Sequence, residues 1–252
     1  MASKPIIEEL KKYLETIVAD GRLDDRPVKV SIGTLTVDQA IGNPERRDFP
    51  LIEGKEVMIE AEFEGCFGQA FTDRPHEFEG TLHDILGLSL KENDNRAIFI
   101  ATLNAVAAHL GMAEGTRHCR NEQPELCAAE LAEHVRNAYG KIKVGLIGLQ
   151  PAILDHLVRQ LGEANVRCTD LNPRNVGTRK YGAEIWDGRT DTERLIEWSD
   201  LLLATSSTIV NNSYDDIKAE ADRRGKPLVI FGVTGAGPAA LLDLGRLCFQ
   251  PN

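Results

Sequence analysis

The spacing of hydrophobic residues changes near residue 140 and divides the chain into two parts of different character. In the first part, residues 5–19 carry apolar residues at helical spacing, which predicts an amphipathic helix. Residues 28–41 and 56–72 alternate apolar and polar positions, a pattern typical of strands. Gly65 interrupts the second of these segments and predicts a break in the strand there.

Two helices are expected after the strands of the first part. One opens at Thr81, where Thr-Leu-His-Asp has the spacing of a capping box closed by the shorter acid, Asp84. The other covers residues 95–111, with Asp94 as its cap and Gly111 as its stop. Strands followed by helices predict an α+β arrangement for this part of the chain.

After residue 140, short apolar segments alternate with helical patterns. The strand candidates are KVGLIGL, VRCTDL, DLLLATS and PLVIFGV, and the helix candidates are residues 151–162, 191–199 and 213–225. The unbroken apolar runs LLLA and LVIF are what strands covered on both faces require. Alternating strands and helices predict a Rossmann-like parallel sheet.

These patterns predict two domains and a connection between them. An α+β domain is expected over residues 1–111, a linker with a connecting helix over 112–140, and a Rossmann-like domain over 141–252. The length of 252 residues allows each domain its own hydrophobic core.

Composition and charge narrow the classes of partner. The net charge of −10 argues against a nucleic-acid surface or an anionic membrane surface, because both need a basic patch. The start of the chain lacks the apolar core of a signal peptide, and no apolar run is long enough to span a bilayer. Five scattered cysteines are best interpreted as reduced thiols, so we expect a cytoplasmic protein.

Polar or glycine-rich residues follow all four predicted strands of the second part. In open parallel sheets, ligands bind beyond the carboxyl ends of the strands, so these residues are expected to line one binding edge. The candidates are Gly148 and Gln150, then Asp170 and Asn172, then Thr205, Ser206, Ser207, Thr208 and Asn211, and finally Thr234 and Gly235.

Each of these groups also has a structural interpretation. Gly148 permits a tight turn, and Asp170 has the spacing of a ribose-binding acid but lies equally in a turn sequence. Ser213 and Asp216 resemble a shortened capping box. A cap does not account for the consecutive hydroxyl residues 205–208, for which ligand binding is the favoured interpretation.

The segment HCRNEQPELC brings a histidine and two cysteines to the predicted domain junction. Cys119 and Cys127 are too far apart for a zinc knuckle, and Cys127 lies by default on the apolar stripe of the following helix. A helix start nevertheless favours thiolate, the form of cysteine that binds metal. His118, Cys119 and Cys127 are therefore candidate ligands of a thiophilic ion such as zinc or copper.

The first part of the chain contributes three further candidates. Gln69 and Thr72 lie in GCFGQAFTDRP, which is either a strand ending in a turn or a loop closing over the binding edge. Asn104 interrupts an apolar helix and needs a polar partner there. It either caps a neighbouring loop or points into the cleft between the domains.

Seven segments occur in an order that resembles the family described as "putative heavy-metal chelation". They are GCFGQAFTDRP, ATLNAVAAHLG, HCRNEQPELC, KVGLIGLQPA, TDLNPRNVG, SSTIVN and FGVTGAG. The resemblance implies an enolase-N-terminal-like domain, a Rossmann-like domain and a site between them, and it strengthens the metal assignment. The sequence departs from the family pattern at residues 205–208 and 211–213, where two glycines are absent, so a close approach of ligand to backbone there is in question.

The function predicted from these features is the binding or processing of a small ligand, with a heavy-metal ion or metal chelate implied by the resemblance. One alternative is a metal-independent enzyme acting on a nucleotide, a pterin-like compound or a related heterocycle. Another is an accessory protein that only senses a ligand. The expected partner is a small molecule or metal, without nucleic acid or membrane, and a homodimer is compatible with the sequence.

Overall fold

The computed structural model of the protein describes residues 5–32, 42–49 and 57–250. It contains one antiparallel sheet and one mostly parallel sheet, which confirms the predicted combination of α+β and α/β architecture. The later part of the predicted strand segment 28–41 lies outside the described residues. No helix in the described ranges is both long and apolar enough to cross a membrane.

The first part of the chain forms a four-stranded antiparallel sheet in the order β3–β2–β1–β4, covered by helices. Its elements are α1 (Ile6–Gly21), β1 (Pro27–Ile32), β2 (Val57–Phe63), β3 (Cys66–Thr72), β4 (Phe78–Thr81), α2 (Leu82–Gly87) and α3 (Asn93–His109). The predicted break is confirmed as the hairpin turn between β2 and β3, where Glu64 and Gly65 have φ of 48° and 75°.

The two predicted helix starts differ in outcome. Thr81 and Asp84 form the expected capping box, with hydrogen bonds in both directions. The prediction of Asp94 as a cap is wrong, because α3 already begins at Asn93. The Asp94 carboxylate instead accepts the backbone N–H of Asn95, and an acid in the first turn is favoured there by the helix dipole.

The second part forms a seven-stranded sheet in the order β11–β10–β9–β5–β6–β8–β7, in which only the β7–β8 pair is antiparallel. Its elements, with the connecting helix first, are α4 (Gln123–Tyr139), β5 (Val144–Ile147), α5 (Pro151–Leu161), β6 (Val166–Asp170), β7 (Arg179–Lys180), β8 (Ala183–Asp187), α6 (Thr192–Trp198), β9 (Leu201–Thr205), α7 (Ser207–Val210), α8 (Tyr214–Arg223), β10 (Leu228–Phe231), α9 (Ala236–Leu242) and β11 (Arg246–Leu247).

All four strands predicted for the second part are confirmed as β5, β6, β9 and β10. The pattern missed β7, β8 and β11, and two of these are only two residues long, too short to show any periodicity. Ser213 is the N-cap residue of α8, but the predicted capping box is absent, because the Ser213 side chain makes no capping bond to the helix. The Ser213 hydroxyl donates instead to Asn211 Oδ1, over 2.6 Å.

The two parts share one hydrophobic core at their contact. Side chains of α1, the antiparallel sheet and α3 pack in one cluster with Ile209, Val210, Tyr214, Ile230 and Leu241 of the second part. The connecting helix α4 packs against α5 and the parallel sheet in a second cluster. The predicted boundaries at 111 and 140 stay a prediction.

Candidate ligand-binding site

A cavity of about 740 Å³ lies at the carboxyl edge of the parallel sheet, between the two parts of the chain. Strand β5 has β6 on one side and β9 on the other, so the strand order reverses at this edge. Gly148, Asp170 and Thr205 reach the cavity from the second part, and Phe71 and Thr72 reach it from the first. Open parallel sheets bind ligands at such a reversal point.

Gly148 forms the tightest part of this edge, directly after β5. Its φ of +87° is strained for any residue with a side chain. A Cβ at this position would also lie 2.5 Å from Cγ2 of Thr205. Two residues on, the Gln150 side chain accepts the Ile153 N–H at 2.6 Å and so caps α5. Gly148 and Gln150 both line the cavity, and both also have structural roles.

Asp170 joins the ends of β5 and β6. Its carboxylate accepts the N–H of Leu149 at 3.0 Å, the N–H of Asn172 at 2.9 Å and the side-chain amide of Asn175 at 2.9 Å. Asp170 and Asn172 both line the cavity. Three hydrogen bonds to one carboxylate fix its position, so a ligand reaching Asp170 would meet a rigid acceptor.

The hydroxyl cluster after β9 divides between two cavities. Thr205, Ser207 and Asn211 line the main cavity, and Thr208 lines a second cavity of about 390 Å³ that Thr205 and Asn211 also reach. The Thr208 hydroxyl donates to the Thr205 carbonyl at 2.7 Å. Ser206 is buried and is among the described lining residues of neither cavity. The cluster is therefore partly exposed to a ligand and partly structural.

Four sequence candidates lie behind the cavity wall, outside its described lining: Gln69, Asn104, Thr234 and Gly235. The Asn104 side chain donates to the Gln69 carbonyl at 2.8 Å and accepts the Gly237 N–H at 2.7 Å. The Thr234 hydroxyl accepts the Phe71 N–H at 3.1 Å. These contacts join β3 and α3 to the second part of the chain, so the residues support the cavity from behind.

The charge of the lining is opposite in sign to that of the protein. Its described residues include five cationic side chains, Arg117, Arg174, Lys180, Arg189 and Arg246, and three carboxylates, Asp48, Asp73 and Asp170. The whole chain carries a net charge of −10. A cleft with a local excess of cations in an acidic protein concentrates anionic ligands.

A loop from the first part contributes lining residues that the sequence did not suggest. Asp48 and Phe49 line the cavity, and Arg46 anchors their loop to the second part. The Arg46 guanidinium contacts Glu125 and Asp155, each at 2.7 Å. Arg46 has an unremarkable sequence context, so only the tertiary contacts identify it as an anchor.

Three thiols line the same wall of the cavity: Cys119, Cys127 and Cys248. Burial raises the pKa of Cys119 to about 12. The hydrogen bond between Cys127 and Cys248 raises the pKa of Cys127 and lowers that of Cys248 to about 7, with the nearby Arg246 acting in the same direction on Cys248.

Arg246 stands beside the thiols and connects both parts of the chain. Its guanidinium donates to the carbonyls of Gly232 at 3.1 Å, Glu114 at 3.1 Å and Gly115 at 2.9 Å. Within the described ranges, no carboxylate forms an ion pair with it. Burial lowers the pKa of Arg246, and the neighbouring sulfurs oppose this shift.

His118, the third residue of the predicted metal set, lines the same cavity as Cys119 and Cys127. Its Nδ1 lies 2.6 Å from the Cys119 carbonyl, and its ring packs edge-on against Phe71. Burial lowers the pKa of His118 and favours the neutral ring. Among the residues that the structure describes, no three His, Cys, Asp or Glu side chains are arranged to hold a metal ion. The set of His118, Cys119 and Cys127 stays a prediction.

Cys248 is the thiol that the sequence pattern did not single out. It lies in an apolar segment near the end of the chain, and this context indicated a core residue. Its position beside Cys127 depends on the pairing of β11 with β10 at the edge of the parallel sheet. The spacing of residues in the local sequence does not predict this pairing. The odd number of cysteines was the one available signal.

Comparison with known proteins bears on the family and the fold. Residues 130–245 match the family described as "putative heavy-metal chelation" (DUF364). A crystal structure of a protein of unknown function from this family, from Pyrococcus horikoshii, is 17% identical and has a TM-score of 0.53, covering 91% of this chain and 80% of its own. The fold of this chain is therefore similar to that protein's.

A second solved structure, of a protein of unknown function from the same family in Desulfitobacterium hafniense, is 14% identical with a TM-score of 0.49. The match covers 74% of this chain and 72% of that one. No curated protein matches the chain. The resemblance inferred from the sequence is thus confirmed: residues 130–245 match the family whose description is "putative heavy-metal chelation".

Proposed function

We propose that the cavity binds a small anionic ligand, and that this ligand is a heavy-metal ion in complex with an organic chelator. One observation carries the proposal: the lining combines an excess of cationic side chains with three thiols, in a protein whose net charge is −10. Cations recognise the carboxylates of a chelator, and soft sulfur ligands recognise a heavy metal. The description of the matched family supports the metal part.

The organic part of the ligand is assigned to the carboxyl edge of the sheet. Arg174, Lys180 and Arg189 supply positive charge there, and Thr205 and Ser207 supply hydroxyls. Arg174 and Arg189 are largely exposed, so their attraction for an anion is screened by salt. The cavity volume of about 740 Å³ suits a small molecule.

The metal part of the ligand is assigned to the thiol wall, with Cys119 and Cys127 retained from the sequence. A closed tetrahedral zinc site needs four protein ligands, and the described side chains offer no group of even three. A chelator would complete the coordination of an ion that the protein holds incompletely. This arrangement favours binding of a metal complex over a permanent structural ion.

A charge-reversal experiment tests the anionic part of the proposal. We expect zinc nitrilotriacetate to raise the melting temperature, and Lys180→Glu to weaken its binding about tenfold, because a repulsive charge replaces an attractive one in the cavity. Lys12→Glu is the matched control, since it makes the same change of charge on an exposed face of α1. Isothermal titration at low and high salt gives both affinities.

Equal affinities of the two variants would contradict a cationic binding site. Binding of magnesium nitrilotriacetate measures recognition of the chelator alone, because magnesium is a hard ion that gains nothing from sulfur ligands. Stabilisation by AMP or a pterin, with no effect of any metal complex, would favour the alternative of a metal-independent enzyme.

A further inference from the structure

Two of the three thiols in the cavity wall come from chain segments that are in contact. Cys127 lies in the second turn of α4, and Cys248 directly follows β11. The Phe249 N–H donates to Cys127 Sγ at 3.4 Å. Cys119, Cys127 and Cys248 all line the cavity.

We propose that Cys127 and Cys248 form a two-thiolate site for a soft monovalent cation of the copper(I) class, within the wall of the cavity. This inference deepens the proposed function and rests on it, because it names the ion and the ligands that hold it. Cys248 replaces His118 as the partner of Cys127.

The number of thiols in contact selects the class of ion. Two thiolates satisfy copper(I), which binds soft sulfur ligands and is stable with few of them, whereas zinc needs four ligands. The Cys127–Cys248 pair has no third His, Cys, Asp or Glu in coordinating position among the residues that the structure describes.

Charge balance favours the same ion. Two thiolates and one copper(I) carry a net charge of −1, and the adjacent Arg246 supplies +1 while bonded to three carbonyl oxygens. The backbone N–H of Phe249 also donates to Cys127 Sγ, which stabilises thiolate there. On binding, two S–Cu bonds replace the sulfur-bound protons, which pass to water, and no electron is transferred.

Competition for copper(I) tests the site. The full chain, reduced and kept without oxygen, is titrated with copper(I) against the chelator bicinchoninate. We expect one ion to bind, and we expect Cys127→Ala and Cys248→Ala each to lower the affinity by about 100-fold or more, since each removes one of two ligands. Cys66→Ala is the matched control, because Cys66 lies at the start of β3 and is absent from the described lining.

X-ray absorption of the copper-loaded protein provides a second measurement that does not depend on variants. Two sulfur atoms as the nearest neighbours of the copper ion would support the site. An unchanged affinity of Cys248→Ala, a first shell without two sulfurs, or zinc binding as tight as copper(I) would overturn it. The site would also be overturned if the two cysteines form a disulfide in air but the reduced protein does not bind copper(I).

The two proposals can fail separately. If the affinity for copper(I) does not depend on Cys248 but the affinity for zinc nitrilotriacetate still depends on Lys180, the two-thiolate site is wrong. The proposal of an anion-binding cavity then stands. If copper(I) binds through both cysteines and the Lys180→Glu and Lys12→Glu variants bind the chelate equally, the opposite holds.

Discussion

At the scale of single residues, Gly148 has the most constrained position in the cavity. Two independent constraints act on it, the left-handed backbone and the close approach of Thr205. The sequence suggested a tight turn at this glycine, and the structure adds the neighbour that makes the turn crowded. Such a contact arises between two strand ends and has no counterpart in the local sequence.

We expect Gly148→Ala to lower the free energy of unfolding by about 2–4 kcal/mol. About 1–2 kcal/mol comes from the left-handed conformation and the rest from overlap with the Thr205 methyl group. Gly177→Ala is the control for backbone strain alone, because Gly177 has φ of +76° and a Cβ added there would meet nothing within 4 Å among the described residues. Chemical denaturation measures both variants.

The steric part can be isolated by a second substitution. Thr205→Ser removes the overlapping methyl group, so in the double variant we expect recovery to the level of Gly177→Ala. If Gly148→Ala and Gly177→Ala lower the free energy of unfolding equally, the contact with Thr205 does not contribute to the destabilisation.

At the scale of elements, α3 is buried in the core although its sequence has no amphipathic pattern. Every residue from Arg96 to Ala107 is buried, because the antiparallel sheet covers one face of the helix and α9 covers another. A helix buried on all sides has no polar stripe. Asn104, the polar exception that the sequence singled out, joins these layers through its side-chain amide.

We expect Asn104→Asp to lower the free energy of unfolding by about 3 kcal/mol or more at neutral pH. The new carboxylate still accepts the Gly237 N–H but faces the carbonyls of Gln69, Val233 and Thr234, which the amide now approaches as a donor. Chemical denaturation against wild type gives the difference.

The pH dependence of this variant has a definite sign. The carbonyls raise the pKa of the introduced acid in the folded state, so the folded protein binds the extra proton more tightly than the unfolded chain does. The loss relative to wild type should therefore shrink as the pH falls toward about 4. Thr102→Val is the control, because the buried Thr102 hydroxyl has no partner among the described residues and its removal should change stability by about 1 kcal/mol or less.

In the second part, the sequence predicted the strands with unbroken apolar runs and missed the others, including β8, which at five residues is longer than β5 or β10. The strands β5, β6, β9 and β10 were found because apolar runs mark strands buried on both faces. The two-residue strands β7 and β11 depend on pairing with a neighbour, not on their own pattern. Missing β11 also meant missing Arg246 and Cys248, which it delivers to the cavity.

At the scale of the whole molecule, the two parts are joined by a continuous core. The cluster that contains Leu10, Phe63 and Phe99 of the first part also contains Ile209 and Leu241 of the second. Separating the parts would expose these side chains to water. Cooperative unfolding of both parts is the physical consequence.

We expect one unfolding transition for the chain despite its two sheets. Both tryptophans, Trp186 and Trp198, lie in the second part, so their fluorescence reports that part alone, whereas far-UV circular dichroism reports helices of both parts. The two signals should change at the same denaturant concentration. A fluorescence transition clearly separated from the ellipticity transition would mean that the parts unfold independently.

The sequence by itself determined the two kinds of sheet, the change of architecture near residue 140, and the polar ends of the parallel strands. These features depend on local periodicity and on a general rule for parallel sheets, so they can be deduced from neighbouring residues. Tertiary structure alone decided which of those polar groups face the cavity and which, such as Asn104 and Thr234, support it from behind. It also decided that Cys127, Arg246 and Cys248 line one cavity, because these positions are far apart in the chain and are joined through packing that no local pattern encodes.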